Sequence, residues 1–333
     1  MDNNKNAIQN YTEDERNDII IQSGEQYHKM MQNGQYKELL VKFGENGKYS
    51  LSNLLYMLSQ NPDMTVAKGM NEWVRLGRHI KEGANSMEII APTKIRVEEE
   101  VKNEDGTPKL DESGNPIIKR YDKTDGFHPM YLFDIADTEG DEYKPLSLNG
   151  KVTDEQKKTI LDGIYNALSA KRYKYKFTDA SEFGESETYR IDKEKRTLKI
   201  KKGMDNNTTV FSAIEGASRA ITESYKGNNF EGMTGEDANN LENSSRNCIL
   251  AAHFGLNTAP FNFDSVKDMN EEERDAFRDN LGLVCAGTKL VMDRISVAFY
   301  KAEQVRETAP AENEVVGEPF RPSKQKSSEM EVA

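Results

Sequence analysis

The N-terminal part of the chain places apolar residues at helical spacing. Apolar side chains recur at i, i+3, i+4 and i+7 in two successive runs, a pattern typical of amphipathic helices. The two runs are Tyr36, Leu39, Leu40, Phe43 and then Leu51, Leu54, Leu55, Leu58. Ser50 is a suitable N-cap for the second helix, and Asn61-Pro62 is expected to end it. The pattern therefore predicts two consecutive helices here.

The period of the pattern changes after these helices. Residues 87–92 form a short apolar run that predicts a β-strand, and residues 94–101 alternate weakly and extend it. A polar insertion follows, with turn-forming pairs such as Asp105-Gly106. Residues 131–135 are apolar again and predict the returning strand. This order indicates a hairpin with a solvated tip.

A second block of elements begins near Val152. Helical spacing predicts a helix from Thr153 towards Ala170 and three more helices further along the chain. These three cover about residues 207–225, 236–254 and 271–301. Two short strands are predicted around the turn at residues 192–195, over residues 189–191 and 197–200.

These elements predict an α+β protein of two domains. A mixed α/β domain is predicted over residues 1–147, and a mainly helical domain with a small sheet over residues 152–303. Residues 304–333 combine prolines with charged and small residues, so we expect a disordered tail.

The charge balance limits the classes of partner. The 333 residues include 45 Lys and Arg against 57 Asp and Glu, a formal net charge of −12. This balance argues against attraction of the whole chain to nucleic acid or to an acidic membrane, but it leaves room for a local basic patch. No apolar run approaches 18 residues, so no membrane partner is expected. Two cysteines exclude a disulfide framework, and a polar N-terminus makes the cytoplasm the expected location.

An ordered set of motif positions runs through the N-terminal domain. Tyr49-Ser50, Asn53, Gln60-Asn61-Pro62, the run from Trp73 to Gly83, and Phe133 to Gly140 occur in this order. The set resembles the N-terminal domain of ArdC-type antirestriction proteins, over about residues 10–147. Proteins of that family are carried by conjugative plasmids, integrative elements and phages. The resemblance implies a domain that binds single-stranded DNA.

Six residues of this segment are the predicted DNA contacts. They are Asn53, Lys68, Trp73, Arg75, Arg78 and Lys81. Residues 66–96 hold six Lys or Arg and three Glu, a local charge of +3. Cations follow phosphates, and an aromatic ring such as that of Trp73 can stack on a base. The structural alternatives are a core tryptophan, solvated arginines, and an Asn53 that caps or hydrogen-bonds the backbone.

The second block resembles the zinc-metallopeptidase-like domain that follows in ArdC-like proteins. The hallmark of that domain is H-E-x-x-H on a helix, in which two His hold zinc and the Glu activates water. Here Ile214 and Ser218 stand at the His positions, and only Glu215 remains. The third ligand position of the family falls on Ser244, with Glu242 two residues earlier. We therefore predict a degenerate, non-catalytic domain with no metal and no other cofactor.

Two functions follow from these patterns. The first is a non-catalytic, single-stranded-DNA-binding accessory protein of a mobile element or phage that protects entering DNA from restriction. The second is an acidic protein-interaction module that no longer binds DNA and meets a host or element-encoded protein. Charge placement separates them: cations that line one groove favour DNA, and cations that are scattered or paired with Glu72, Glu82 and Glu88 favour the protein partner. An active metallopeptidase is a third, minor alternative.

Overall fold

The computed structural model describes residues 9–227, 230 and 232–308 of the chain. Eight α-helices lie in this part of the chain. They are α1 (Glu13–Gln32), α2 (Tyr36–Glu45), α3 (Leu51–Gln60), α4 (Met70–Arg75), α5 (Asp154–Ser169), α6 (Asn206–Tyr225), α7 (Glu236–His253) and α8 (Glu271–Thr308). Local sequence fixes several helix starts: Thr12 and Glu15 form a capping box on α1, and Ser50 caps α3 as predicted.

The described strands form three small sheets. They are β1 (Ala67–Lys68), β2 (Arg78–Ile80), β3 (Met87–Glu100), β4 (Ile118–Asp134), β5 (Thr138–Gly140), β6 (Lys174–Thr178), β7 (Tyr189–Asp192) and β8 (Thr197–Lys201). The sheet orders are β1-β4-β3, β2-β5 and β6-β8-β7. Strand β8 pairs in parallel with β6, and the other neighbours pair antiparallel. The mixture of helices and small sheets confirms the predicted α+β class.

Strands β3 and β4 form the predicted hairpin: β3 agrees with the predicted residues 87–101, whereas β4 begins 13 residues before the predicted returning strand at 131–135. Their buried ends, Met87, Ile89 and Leu132, lie in the core, whereas the outer half of the hairpin is exposed. The register shifts between Pro92 and Lys94. The hairpin therefore leaves the body of the protein as an arm, because its outer residues have no apolar face to bury.

One hydrophobic core extends across both predicted domains. It includes Leu39 and Phe43 of α2 together with Ile249 of α7 and Ile295 of α8. Helix α2 packs on α7, and the Tyr36 hydroxyl lies 2.7 Å from the Ser245 hydroxyl. The N-terminal part and the second block are therefore in close contact. The domain boundaries at residues 147 and 152 remain a prediction.

The C-terminal helix passes the predicted start of the tail. Residues 304–308 belong to α8, because the helical backbone continues to Thr308. The remainder of the predicted disordered tail, residues 309–333, lies outside the described residues. No helix of the described part of the chain is long and apolar enough to cross a membrane.

Candidate nucleic-acid interface

The structure corrects the proposed role of Trp73. The side chain is fully buried, and its Nε1 donates a hydrogen bond to the Phe133 carbonyl oxygen at 2.9 Å. The Tyr143 ring meets it edge-on, with ring centroids 5.7 Å apart. A buried indole with its N–H satisfied has no free face for a base, so Trp73 is a core residue of the N-terminal part.

Lys68 and Arg78 lie against the buried tryptophan. The Lys68 ammonium is 5.9 Å and the Arg78 guanidinium 6.0 Å from the Trp73 ring centroid. Lys68 also pairs with Glu72 at 3.2 Å, and only 16% of its side chain is exposed. Glu72 pairs with Lys48 as well, and these two cations hold its pKa below the usual range despite the opposing effect of burial. The charge of Lys68 is therefore largely compensated inside the protein.

The Arg78 guanidinium forms hydrogen bonds within the protein, to Thr138 and Asp141. Its Nε donates to the Thr138 hydroxyl at 2.7 Å and its Nη2 to the Thr138 carbonyl at 3.0 Å. Its Nη1 donates to the Asp141 carbonyl oxygen. These bonds join β2 to β5 and to the residue that follows it, so the guanidinium fixes the fold at this point and has few donors left for a phosphate.

Asn53 is also a structural residue. Its Nδ2 donates to the Ile90 carbonyl at 2.9 Å, and its Oδ1 accepts from the Ile90 amide at 3.1 Å. The Asn53 side-chain amide thus pairs with the Ile90 backbone in the way that a neighbouring strand would. The alternative of a backbone-bonding asparagine is the one that the structure supports.

Arg75 and Lys81 are the predicted contacts that remain on the surface. Both are exposed. The Arg75 Nε donates to the Asn71 carbonyl at 3.1 Å, and the Lys81 ammonium donates to the Ala136 carbonyl at 2.8 Å. Each retains further donors that can reach a phosphate.

The predicted cations do not line one groove. Lys94 and Arg96 lie on the exposed arm, where they stand opposite Thr124 and Asp122 across the hairpin. Lys68 and Arg78 lie beside Trp73, and Lys68 is paired with Glu72. By the criterion of charge placement, this arrangement of residues 66–96 favours a protein partner over DNA for this segment.

Two of the three positions predicted to be relics of a peptidase motif, Ile214 and Ser218, lie in the core of the second block. Ile214 and Ser218 are buried on α6, and the Ser218 hydroxyl lies 3.0 Å from the Thr288 hydroxyl. Glu215 is half-buried, and its Oε1 accepts from Asn247 at 3.4 Å. An isoleucine and a hydroxyl that is already paired cannot bind zinc, so the residues present do not fit the metal that the resemblance implies.

Two cationic side chains, Lys226 and Arg246, interact with Glu242, which precedes the predicted third ligand position by two residues. Lys226 donates to both carboxylate oxygens of Glu242, at 2.7 and 2.9 Å, and Asn280 donates to it at 2.6 Å. Arg246 is completely buried nearby, and burial lowers the pKa of its guanidinium although Tyr189, Glu242 and Glu215 favour the charged form. Among the described residues, no group of three or more His, Cys, Asp and Glu is placed to hold a metal ion.

A pocket of tyrosines is the feature that sequence analysis missed. Tyr11, Tyr56 and Tyr131 surround the Glu88 carboxylate in a cavity of about 390 Å³. The Tyr11 hydroxyl donates to Glu88 at 2.5 Å and the Tyr56 hydroxyl at 3.4 Å, and the Tyr131 side chain is 53% exposed. Burial and the Glu88 carboxylate raise the pKa of Tyr11 and Tyr56. No periodicity connects residues so far apart, so only the fold brings them together.

Comparison with known proteins identifies the N-terminal part of the chain. Residues 10–123 match the family model described as the N-terminal domain of anti-restriction factor ArdC. This match confirms the resemblance to ArdC-type proteins that the ordered motifs of the N-terminal part predicted. A search of curated proteins gives no match.

Two solved structures are similar to the chain at 12% sequence identity. The metal-free crystal structure of the antirestriction ArdC protein from the R388 plasmid covers 77% of this chain and 84% of its own, with a TM-score of 0.32. The Mn(II)-bound structure of that protein covers 76% of this chain and 83% of its own, with a TM-score of 0.31.

Proposed function

We propose that this protein binds single-stranded DNA without catalysing a reaction. The observation that carries the proposal is the match of residues 10–123 to the ArdC N-terminal domain. Surface donors of this domain are compatible with such contacts, since Arg75 and Lys81 remain exposed and the Tyr131 ring is accessible on β4. Sequence-tolerant binding needs only cations for phosphates and aromatic faces for bases.

The absence of catalysis is part of the proposal. Ile214 and Ser218 replace the metal-binding side chains, and both are packed in the interior. A lone Glu215, bonded to Asn247, cannot by itself hold the metal ion on which the peptidase chemistry of the resembling family depends. The second block then serves as a structural unit that supports the DNA-binding surface.

We further propose that the protein acts in the cytoplasm on behalf of a mobile element or phage. Coating of entering single strands would shield them from nucleases and restriction. The family that residues 10–123 match is described as an anti-restriction factor, which supports a role against restriction. Protection is tested by adding the protein to a labelled single strand before a single-strand nuclease. An unchanged cleavage rate at saturating protein would contradict the shielding role.

The binding test is fluorescence anisotropy of a labelled single-stranded oligonucleotide with the full chain, at low and moderate salt. We expect micromolar or tighter binding that prefers the single strand to a duplex control. The logarithm of the affinity should fall with the logarithm of salt, with a slope of about −0.7 for each phosphate contacted. Absence of binding at low salt would overturn the proposal.

The tyrosine pocket supports a second candidate function. Glu15, Asp18 and Glu88 line it, and no Lys or Arg is found among the described residues that do so. An acidic cage of aromatic rings is suited to a lysine or arginine side chain of a protein partner. Calorimetric titration with a lysine-rich peptide tests this function. Binding that is lost in Tyr131→Ala but retained in Tyr165→Ala, an equally exposed tyrosine elsewhere, would favour it.

A further inference from the structure

The strongest basic region of the chain lies outside the ArdC-type domain. Residues 171–202 hold eleven Lys or Arg and six Asp or Glu, a net charge of +5 in a chain of −12. This segment includes the end of the turn after α5 and the whole β6-β8-β7 sheet. A positive region on an acidic protein attracts a polyanion locally, even when the net charge of the whole chain repels it.

Two turns of this segment meet at one cavity. The turn after α5 and the turn between β7 and β8 are joined by a hydrogen bond from the Lys174 amide to the Arg196 carbonyl at 3.0 Å. Beside them lies a cavity of about 490 Å³. Its cationic lining, called here the basic turn cluster, consists of Lys171, Arg172, Lys193, Arg196 and Lys226. Glu223 is the one acidic residue among the described residues that line the cavity.

The two arginines of the cluster have an uncommon backbone conformation. Arg172 has a φ of 58° and Arg196 a φ of 45°, and no other described non-glycine residue has a positive φ. Residues with a Cβ rarely adopt this left-handed region, and where they do it is often at functional sites. In both turns glycine or asparagine would be the residue expected from local structure alone.

The same two arginines lack an internal counter-ion. Glu223 pairs with Lys193 at 2.9 Å and with Lys226 at 3.3 Å, so its charge is already used. Lys171 lies over the Tyr225 ring at 4.0 Å. Arg172 and Arg196 are exposed and form no ion pair with any described carboxylate. Their guanidinium groups are therefore available for an external anion.

The solvent face of the sheet continues the positive surface. Lys176 on β6, Lys199 on β8 and Arg190 on β7 stand in one row across the three strands. The acidic connection between β6 and β7 neutralises part of this row, because Glu182 pairs with Lys199 at 3.1 Å and Glu187 pairs with Arg190. Lys176 has no such partner among the described residues, so it adds an uncompensated positive charge to this face of the sheet.

We propose that the basic turn cluster binds backbone phosphates of single-stranded DNA. This inference rests on the proposed function and gives the second block a direct part in it. Arg172 and Arg196 would each contact a phosphate with the planar donor pairs that suit oxyanions. The strand would then continue past Lys176 on the sheet face.

The test uses the full chain and a double variant, Arg172→Asn with Arg196→Asn. Asparagine tolerates the left-handed backbone, so the variant removes two charges with little disturbance of either turn. We expect affinity for a single-stranded oligonucleotide to fall about ten-fold, and the salt slope to lose about 1.4, the value for two phosphate contacts. The control Lys158→Gln with Lys301→Gln removes the same charge from two exposed helix positions and should leave affinity unchanged.

The outcomes separate the two proposals. If the unaltered chain does not bind DNA at low salt, the proposed function fails. If it binds and the double variant binds equally well with the same salt slope, the function stands and this inference is overturned. A second variant, Arg172→Lys with Arg196→Lys, keeps both charges and should retain most of the affinity. Loss of binding in the lysine variant to the level of the asparagine variant would show that charge is not what these residues supply.

Discussion

At the scale of residues, polar side chains of the ordered motif in the N-terminal part form hydrogen bonds to the backbone of neighbouring segments. Asn53 and Gln60 both bond the main chain of β3, the first at Ile90 and the second at Glu88. The buried Asp134 carboxylate accepts hydrogen bonds from the amides of Val66 and Ile135. Polar side chains that replace missing backbone partners stabilise irregular connections, since unpaired buried amides are costly.

Trp73→Ala should destabilise the protein. Removal of a fully buried indole leaves a cavity and orphans the Phe133 carbonyl, so we expect a loss of about 3–5 kcal/mol in the free energy of unfolding. Guanidinium-induced unfolding followed by circular dichroism measures it. Arg75→Ala, an exposed change on the same helix, should stay within about 0.5 kcal/mol. Equal unfolding midpoints for the two variants would contradict the core role of Trp73.

His253 should make stability depend on pH. Burial lowers the pKa of the imidazole, and its Nδ1 lies 2.8 Å from the Gly44 carbonyl oxygen, to which it donates in the neutral form. Because the unfolded chain binds a proton more readily, this residue favours the folded state above about pH 6.5, and that contribution is lost as the pH falls towards the lower pKa of the folded state.

Chemical denaturation between pH 5 and 8 tests the role of His253. The variant His253→Gln should show a smaller decrease in stability on acidification than the unaltered chain does. His79→Gln, a change at an exposed histidine, is the matched control variant. If His253→Gln and the unaltered chain have the same profile, His253 does not titrate in the way proposed.

At the scale of elements, the crossing of α2 and α7 depends on the absence of a side chain at Gly44. A Cβ at this position would lie 2.5 Å from the Ile249 carbonyl oxygen and 2.7 Å from the Ala252 Cβ. These atoms belong to a packed helix, so they cannot move away from an added Cβ as the end of a flexible side chain could. The close approach of the two helices is one of the contacts that join the N-terminal part to the second block.

Gly44→Ala should therefore destabilise the fold by about 1–3 kcal/mol, because the overlap outweighs the helix propensity that alanine gains. Gly282→Ala on α8 is the matched control. No atom lies within 4 Å of a Cβ built there, so this variant should gain up to about 1 kcal/mol. Thermal unfolding of both variants gives the comparison. A stabilised Gly44→Ala would mean that the crossing is looser than described.

At the scale of the whole molecule, the two predicted domains share one core. Tyr27 donates from its hydroxyl to the Arg274 carbonyl at 3.0 Å, and Tyr36 packs edge-on against Phe263 and Phe277 of the second block. A fragment of residues 1–147 would expose these rings to water. Burial of an aromatic side chain contributes roughly 1.5–3 kcal/mol, so several lost partners exceed the stability of a small domain.

We expect the fragment 1–147 to melt without cooperativity or well below the full chain. Circular dichroism and calorimetry of both proteins measure this difference. A cooperative transition at the melting temperature of the full chain would instead establish an independent N-terminal domain, with the boundary near residue 147 that the sequence predicts.

The sequence by itself determined the elements that depend on neighbours along the chain. Apolar spacing located the α2 and α3 helices, the cap at Ser50 and the hairpin, since helices and adjacent strands follow local periodicity. It also indicated the resemblance to the ArdC N-terminal domain that the family model matches over residues 10–123, because motifs are read in order along the chain. Strand β6 was not predicted, since it is short and depends on parallel pairing with β8.

Only the tertiary structure decided which side chains reach the surface and which of them meet. Trp73 and Arg78 are residue types that often contact DNA. The Trp73 side chain is buried, however, and the Arg78 guanidinium forms hydrogen bonds to Thr138. Arg172 and Arg196 lie 24 residues apart and converge because two turns are joined by a backbone bond. The burial of a side chain and the meeting of two distant side chains depend on contacts between distant segments. The charge and spacing of residues along the chain therefore do not predict either of them.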